Sequence, residues 1–112
     1  MARTIIKQAQ SFDRVKVLKY SDTGDYVDLS GCTAYCQMRT EPGGDLVATA
    51  ECSVTPLLGR VSATFTSDTT ASIEPGDYGF DIWLVCGDEK KPIHTELVTV
   101  VKRYTENFQV GD

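Results

Sequence analysis

The feature that most constrains this chain is an alternation of apolar and polar residues with a period of two. Val61, Ala63 and Phe65, for example, alternate with serine and threonine. The pattern recurs along most of the chain, and turn sequences such as Pro75-Gly76 interrupt it. Successive side chains of a strand point to opposite faces, so such segments are typical of half-buried strands. The alternation predicts an all-β fold, an immunoglobulin-like antiparallel β-sandwich of about seven strands.

Six segments carry the strand pattern: residues 12–20, 32–39, 46–54, 60–66, 78–85 and 93–102. Residues 3–9 are a candidate seventh strand. Four residues form the strongest apolar stripe, which we expect to face the core: Tyr78, Phe80, Ile82 and Leu84. Trp83 then lies on the opposite face. Residues 67–73 break the alternation and predict one short helical turn, with Ser67 or Asp68 as its N-cap.

The length of 112 residues suits one domain, which we place at residues 1–112, with short polar extensions at residues 1–10 and 104–112. No apolar run approaches the roughly 20 residues of a membrane-spanning helix. The first residues also lack the apolar stretch of a signal peptide. We therefore expect a protein that is made in the cytoplasm and stays there until it assembles.

The charge of the chain is unevenly distributed. Residues 1–20 contain five Lys or Arg and one Asp, a net charge of +4, whereas the whole chain carries −5 and the remainder therefore −9. A net acidic chain is a poor nucleic-acid binder, because phosphate contacts require a basic surface. The basic segment, with Arg3, Lys7 and Lys16, is either a solvated face or a contact for an acidic neighbouring subunit.

The four cysteines do not have the spacing of a metal site or of an obvious disulfide. Cys32 and Cys36 are four residues apart in one predicted strand, which separates their Cα atoms by roughly 13 Å, beyond the reach of a disulfide. Cys52 and Cys86 are isolated, so the paired cysteines of a zinc site are absent. We expect four buried thiols in a reducing compartment, with no disulfide and no metal.

No set of residues indicates catalysis or a cofactor. His94 is the single histidine, and the sequence around it supplies neither a nucleophile nor an orienting acid. Gly43-Gly44 is followed by Asp45 and lacks the lysine of a phosphate-binding loop. Most acidic residues lie in turns, where they bind backbone groups and contact solvent. The sequence predicts a protein that is not an enzyme and binds no cofactor or small-molecule substrate.

The remaining candidates for function are surface residues that would contact a partner. Trp83 and Tyr35 lie on the predicted outer faces of their strands, either packed under a loop or exposed as a binding pair. Leu57 and Leu58 form an apolar loop tip between a proline and a glycine. This tip either closes one end of the sandwich or docks on a partner.

Two segments resemble a family of small bacteriophage virion domains, the N-terminal domains of phage baseplate upper proteins and related tail modules. The first is VDLSGCTA at residues 27–34, and the second is the pattern T-x6-G-x-Y-x-x-D-I at residues 69–82. The resemblance extends over residues 12–105. It implies that Leu29 and Tyr78 fill the core and that Gly31 and Gly76 form turns.

The resemblance implies a non-enzymatic structural protein of a phage virion. Such a chain is a component of the tail, baseplate or adaptor, or a capsid decoration subunit, present in many copies and bound to other virion proteins. It would be assembled in the cytoplasm of the host bacterium and would contact neither nucleic acid nor membrane. The alternative is a carbohydrate-binding module in which Trp83 and Tyr35 form a stacking platform.

Overall fold

The computed structural model describes residues 3–105, which form eight strands, one short α-helix and one turn of 3-10 helix. The strands are β1 Thr4–Lys7, β2 Phe12–Val17, β3 Cys32–Arg39, β4 Leu46–Thr49, β5 Glu51–Thr55, β6 Arg60–Phe65, β7 Gly76–Cys86 and β8 Glu89–Val101. The helix α1 spans Ser67–Ala71 and the 3-10 turn Pro56–Leu58. Within the described part of the chain, no helix is both long and apolar enough to cross a membrane.

The strands form two sheets. One has five strands in the order β1-β8-β7-β3-β4, and the other has three in the order β2-β6-β5. All neighbouring strands are antiparallel except β1 and β8, which run parallel. The apolar faces of the two sheets share one core. The predicted all-β sandwich is thereby confirmed at the level of its two sheets.

The core follows the alternation of the strands. The stripe of β7 is buried as predicted, with Phe80 and Ile82 at its centre. The ring of Phe80 meets those of Phe12 and Phe65, whose centroids lie 5.8 and 5.4 Å away. Because Phe12 and Phe65 belong to the three-stranded sheet, this cluster holds the two sheets together. Such aromatic pairs contribute about 0.5–1.5 kcal/mol beyond the area they bury.

The prediction of one strand over residues 46–54 was wrong. The chain bends at Ala50, so that β4 joins the five-stranded sheet and β5 the three-stranded sheet. The alternation places Leu46 on the same face as Ala48 and Ala50, but Leu46 is exposed whereas Ala48 and Ala50 are buried. A period of two specifies which residues share a face within one strand, but it does not reveal a change of sheet.

The ends of two other predicted elements differ slightly from the sequence interpretation. Residues 4–7 form β1, and its Ile6 is buried, so this part of the N-terminus belongs to the sandwich. Helix α1 begins after Thr66, whose side chain accepts a hydrogen bond from the Thr69 amide and is therefore the N-cap. The predicted C-terminal extension lies partly outside the described residues.

The expectation of no disulfide was also wrong, because Cys32 and Cys86 are bonded to each other. They lie directly opposite each other on β3 and β7, with their Cα atoms 4.3 Å apart. Only the register of two strands that are distant in sequence brings these sulfurs together. Cys36 and Cys52 remain thiols, so the prediction that Cys36 is not bonded to Cys32 was right.

Candidate functional site

The outer face of the five-stranded sheet carries the aromatic pair that the sequence singled out. Tyr35 of β3 and Trp83 of β7 are directly opposite each other. Their relative exposures are 57% and 37%. Large aromatic side chains that lie side by side on a solvated sheet form an apolar platform for a ligand or a partner.

A groove of about 530 Å³ lies beside this pair on the same sheet. One wall is the loop between β3 and β4, with Arg39 at its base, and Arg3 contributes to the lining. Gly79 is also part of the lining and has no side chain to fill the space. The volume is within the usual range of binding pockets, roughly 300–1,000 Å³.

Both arginines of the groove have partners within the chain. Arg3 donates hydrogen bonds to the hydroxyl of Thr99 and to the carbonyl of Tyr78, and its Nε lies 3.7 Å from Asp77. Arg39 donates to the carbonyl of Gly44 at 2.9 Å. These cations are therefore held in place by the fold.

Asp81 differs from the other charged groups of the groove. It lies half-buried on the outer face of β7, two residues from Trp83, and pairs in register with Gln37 of β3. Within residues 3–105 its carboxylate has neither a hydrogen bond nor an ion pair. A carboxylate that has lost part of its hydration favours a cation or a hydrogen-bond donor from a ligand.

A second polar cluster, on the inward side of β8, connects the two sheets. Glu96 accepts hydrogen bonds from Nε and Nη2 of Arg14 at 2.8 and 2.7 Å. Thr4 donates to the same carboxylate at 2.5 Å, and His94 Nε2 lies 2.7 Å from it. Burial alone would raise the pKa of Glu96, but the hydrogen bonds from Arg14, Thr4 and His94 outweigh it and lower the pKa to about 2.

This cluster uses groups that the sequence interpretation did not connect. The sequence around His94 was interpreted as lacking an orienting acid, whereas Glu96, two residues away, lies 2.7 Å from His94 Nε2. The His94 side chain is 22% exposed. Arg14 was counted among the free charges of the basic segment, whereas it is paired with Glu96. The one available signal was an acid at an inward position of β8, two residues before the buried Val98.

The cysteine thiols offer no reactive group. Burial raises the pKa of Cys36 to about 12, so its thiol stays protonated at neutral pH. Burial also raises the pKa of Cys52. Among residues 3–105, no group of three or more His, Cys, Asp or Glu side chains could hold a metal ion.

The other predicted contact residues lie apart from the aromatic pair. Leu57 and Leu58 are in the 3-10 turn between β5 and β6, strands of the other sheet, with exposures of 74% and 49%. Lys7 lies on β1, with its ammonium 5.8 Å from the centre of the Tyr104 ring. Lys16 is half-buried on β2. The structure thus brings together Tyr35 and Trp83, while the predicted basic residues do not form a single face.

Comparison with known proteins gives no assignment, because the chain matches no protein-family model and no curated protein.

Proposed function

We propose that this chain is a non-enzymatic structural protein of a bacteriophage virion that acts through protein–protein contacts. It would be a component of the tail, baseplate or adaptor, or a decoration subunit of the capsid. The observation that carries the proposal is the exposed pair Tyr35 and Trp83 beside the groove on the five-stranded sheet. Tryptophan and tyrosine are the residues most often found as energetic centres of protein interfaces.

The strand order supports the finer assignment of the fold. The sheet β8-β7-β3-β4 packed on β2-β6-β5 has the G-F-C-C′ and B-E-D order of immunoglobulin-like sandwiches. The segment at residues 27–34 and the pattern at residues 69–82 resemble phage virion domains of this kind. Leu29 and Tyr78 are buried and Gly31 lies in a turn with a φ of +81°, as that resemblance implied. Gly76 does not form the implied turn, because it is the first residue of β7.

The proposal is tested by the composition of purified virions. Quantitative mass spectrometry of particles from the phage or prophage that encodes the chain should detect it in many copies per particle. The Trp83→Ala variant should fold, as judged by circular dichroism, yet be incorporated at least about tenfold less, as expected for an interface centre. The matched control is Lys90→Ala, because Lys90 is an exposed residue of β8. Particles without the chain would contradict the proposal.

A second candidate is a carbohydrate-binding module, which the same aromatic pair favours. The apolar face of a sugar ring stacks on aromatic side chains, and Asp81 and Gln37 next to Trp83 are suited to bind hydroxyl groups. Trp83 is the single tryptophan of the chain, so its fluorescence reports on this face directly. Titration with bacterial surface oligosaccharides should change that fluorescence, and an unchanged signal would argue against a sugar ligand.

A further inference from the structure

The groove of the five-stranded sheet has two chemical features that a ligand would have to match. Asp81 has no partner within the described part of the chain, and it lies beside the exposed rings of Trp83 and Tyr35. Arginine meets both needs, because its guanidinium pairs with a carboxylate and also stacks on an aromatic ring. The groove is therefore suited to an arginine flanked by apolar side chains.

The chain itself presents such an arginine on another surface. Arg60 begins β6, and only Gly59 separates it from the 3-10 turn that exposes Leu57 and Leu58. It pairs in register with the exposed Val17 of β2. The Arg60 side chain is exposed and has no hydrogen bond or ion pair within residues 3–105. We call the surface formed by Val17, Leu57, Leu58 and Arg60 the knob.

Other exposed cations of the chain fit the groove less well. Lys7 and Lys19 lie over tyrosine rings of the same chain. Lys91 pairs with Glu89 in the hairpin between β7 and β8. Arg60 is distinguished by a guanidinium without a hydrogen bond or ion pair among the described residues, together with three exposed apolar neighbours in the knob.

We infer that the occupant of the groove is the knob of a second copy of this chain, with Arg60 of one copy paired with Asp81 of the next. Leu57 and Leu58 would then cover Trp83 and Tyr35, which removes apolar surface from water on both copies. The inference rests on the proposed function, because it supplies the contact by which a virion protein forms a multicopy array.

The groove and the knob belong to different sheets, so this contact joins two different surfaces. Such a head-to-tail contact leaves one groove and one knob free in every dimer. Further copies therefore add until the array closes into a ring, or they continue as an open filament. The Arg60–Asp81 pair also makes the association weaker at high salt.

The test uses neutral variants that remove one surface each. Asp81→Ala removes the groove carboxylate that the inference pairs with Arg60, and Arg60→Ala removes the guanidinium of the knob. In sedimentation velocity over a range of concentrations, the wild-type chain should form oligomers. Each variant alone should associate at least about tenfold more weakly, as expected for loss of a central charge pair. Lys90→Ala should behave as wild type.

An equimolar mixture of the two variants gives the sharpest result. The intact groove of Arg60→Ala copies can receive the intact knob of Asp81→Ala copies, so the mixture should form heterodimers and stop there. A wild-type chain that stays monomeric, variants that still oligomerise, or a mixture without heterodimers would each overturn the inference.

These outcomes separate the inference from the proposed function. A chain that is monomeric in solution but present in virions through Trp83 would overturn only the head-to-tail contact. A chain absent from virions that nevertheless forms the mixed heterodimer would overturn only the virion role.

Discussion

Glu96 carries a charge on the inward side of β8, where Val98 and Val100 continue the buried stripe. Its carboxylate remains ionised because Arg14 reaches it from β2 of the other sheet and Thr4 from β1. The same hydrogen bond raises the pKa of Arg14. A single acidic residue thus connects three strands, and its removal would leave the guanidinium of Arg14 without its carboxylate.

The low pKa of Glu96 predicts a defined loss of stability in acid. The unfolded chain binds a proton near pH 4.5 and the folded chain only near about 2. The carboxylate therefore contributes stability above pH 4.5, and this contribution is lost as the pH falls toward 2. Urea unfolding at several pH values should show a steeper fall for wild type than for Glu96→Gln.

Glu96→Gln should also lower the free energy of unfolding at pH 7 by about 1–3 kcal/mol, because charged hydrogen bonds are lost. Glu89→Gln is the matched control, since its ion pair with Lys91 is exposed and should contribute little. Equal slopes for wild type and Glu96→Gln between pH 4.5 and 2 would show that Glu96 does not titrate as stated.

Gly59 determines how the chain passes the apolar turn of the knob. Its φ is +57°, and a Cβ atom there would overlap the carbonyl oxygen of Leu18. Gly24 has a similar φ of +76°, but a Cβ atom built there would meet no other part of the fold within 4 Å. Gly24→Ala should therefore lower the free energy of unfolding only by the backbone cost of a positive φ, about 1–2 kcal/mol. Gly59→Ala should lower it distinctly more. Urea unfolding measures both differences. Equal costs would mean that the Leu18 backbone moves aside.

At the level of elements, the pair β3–β7 carries both the disulfide and the aromatic platform. Its register places Cys32 opposite Cys86 and Tyr35 opposite Trp83. A shift by one residue would turn the aromatic pair toward the core and separate the two sulfurs. The disulfide therefore fixes the register on which the candidate site depends.

Loss of this disulfide should destabilise the fold appreciably. The bond joins residues 54 apart in sequence, and its removal should lower the free energy of unfolding by about 2–4 kcal/mol. Guanidinium unfolding of wild type with and without reductant measures this difference. The double variant Cys32→Ser with Cys86→Ser should not respond to reductant. A wild-type curve that reductant leaves unchanged would contradict a stabilising disulfide.

At the level of the whole molecule, the sandwich is joined by contacts between side chains of its two sheets. The rings of Phe12, Phe65 and Phe80 meet at this interface, and Phe80 is the member from the five-stranded sheet. The Arg14–Glu96 pair spans the same gap nearer an edge. Apolar packing at the centre and an ion pair at the margin both oppose separation of the sheets.

Phe80→Ala should cost about 3–5 kcal/mol, because it removes a buried ring and leaves a cavity between the sheets. Tyr35→Ala on the outer face of the same sheet should cost less than about 1 kcal/mol. Denaturant unfolding of the two variants checks the assignment of faces. A loss below about 1 kcal/mol for Phe80→Ala would place that ring outside the core.

The sequence by itself determined the faces of the strands. The period of two in β3, β6 and β7 is a property of extended backbone, so it separated Phe80 from Trp83 without knowledge of the partner strands. Turn residues such as Pro42-Gly43, which lie in a turn between β3 and β4, likewise act locally. Because the alternation also placed Tyr35 and Trp83 on the outer faces of their strands, the sequence predicted their exposure as one of two alternatives.

Only the tertiary structure decided which strands are neighbours and in what register. The bond between Cys32 and Cys86, the change of sheet at Ala50 and the pairing of Arg14 with Glu96 all depend on that arrangement. It also left Asp81, beside Trp83, without a hydrogen bond or ion pair among residues 3–105. Local alternation carries no information on contacts between distant residues, because these depend on how whole sheets bury their apolar faces against each other.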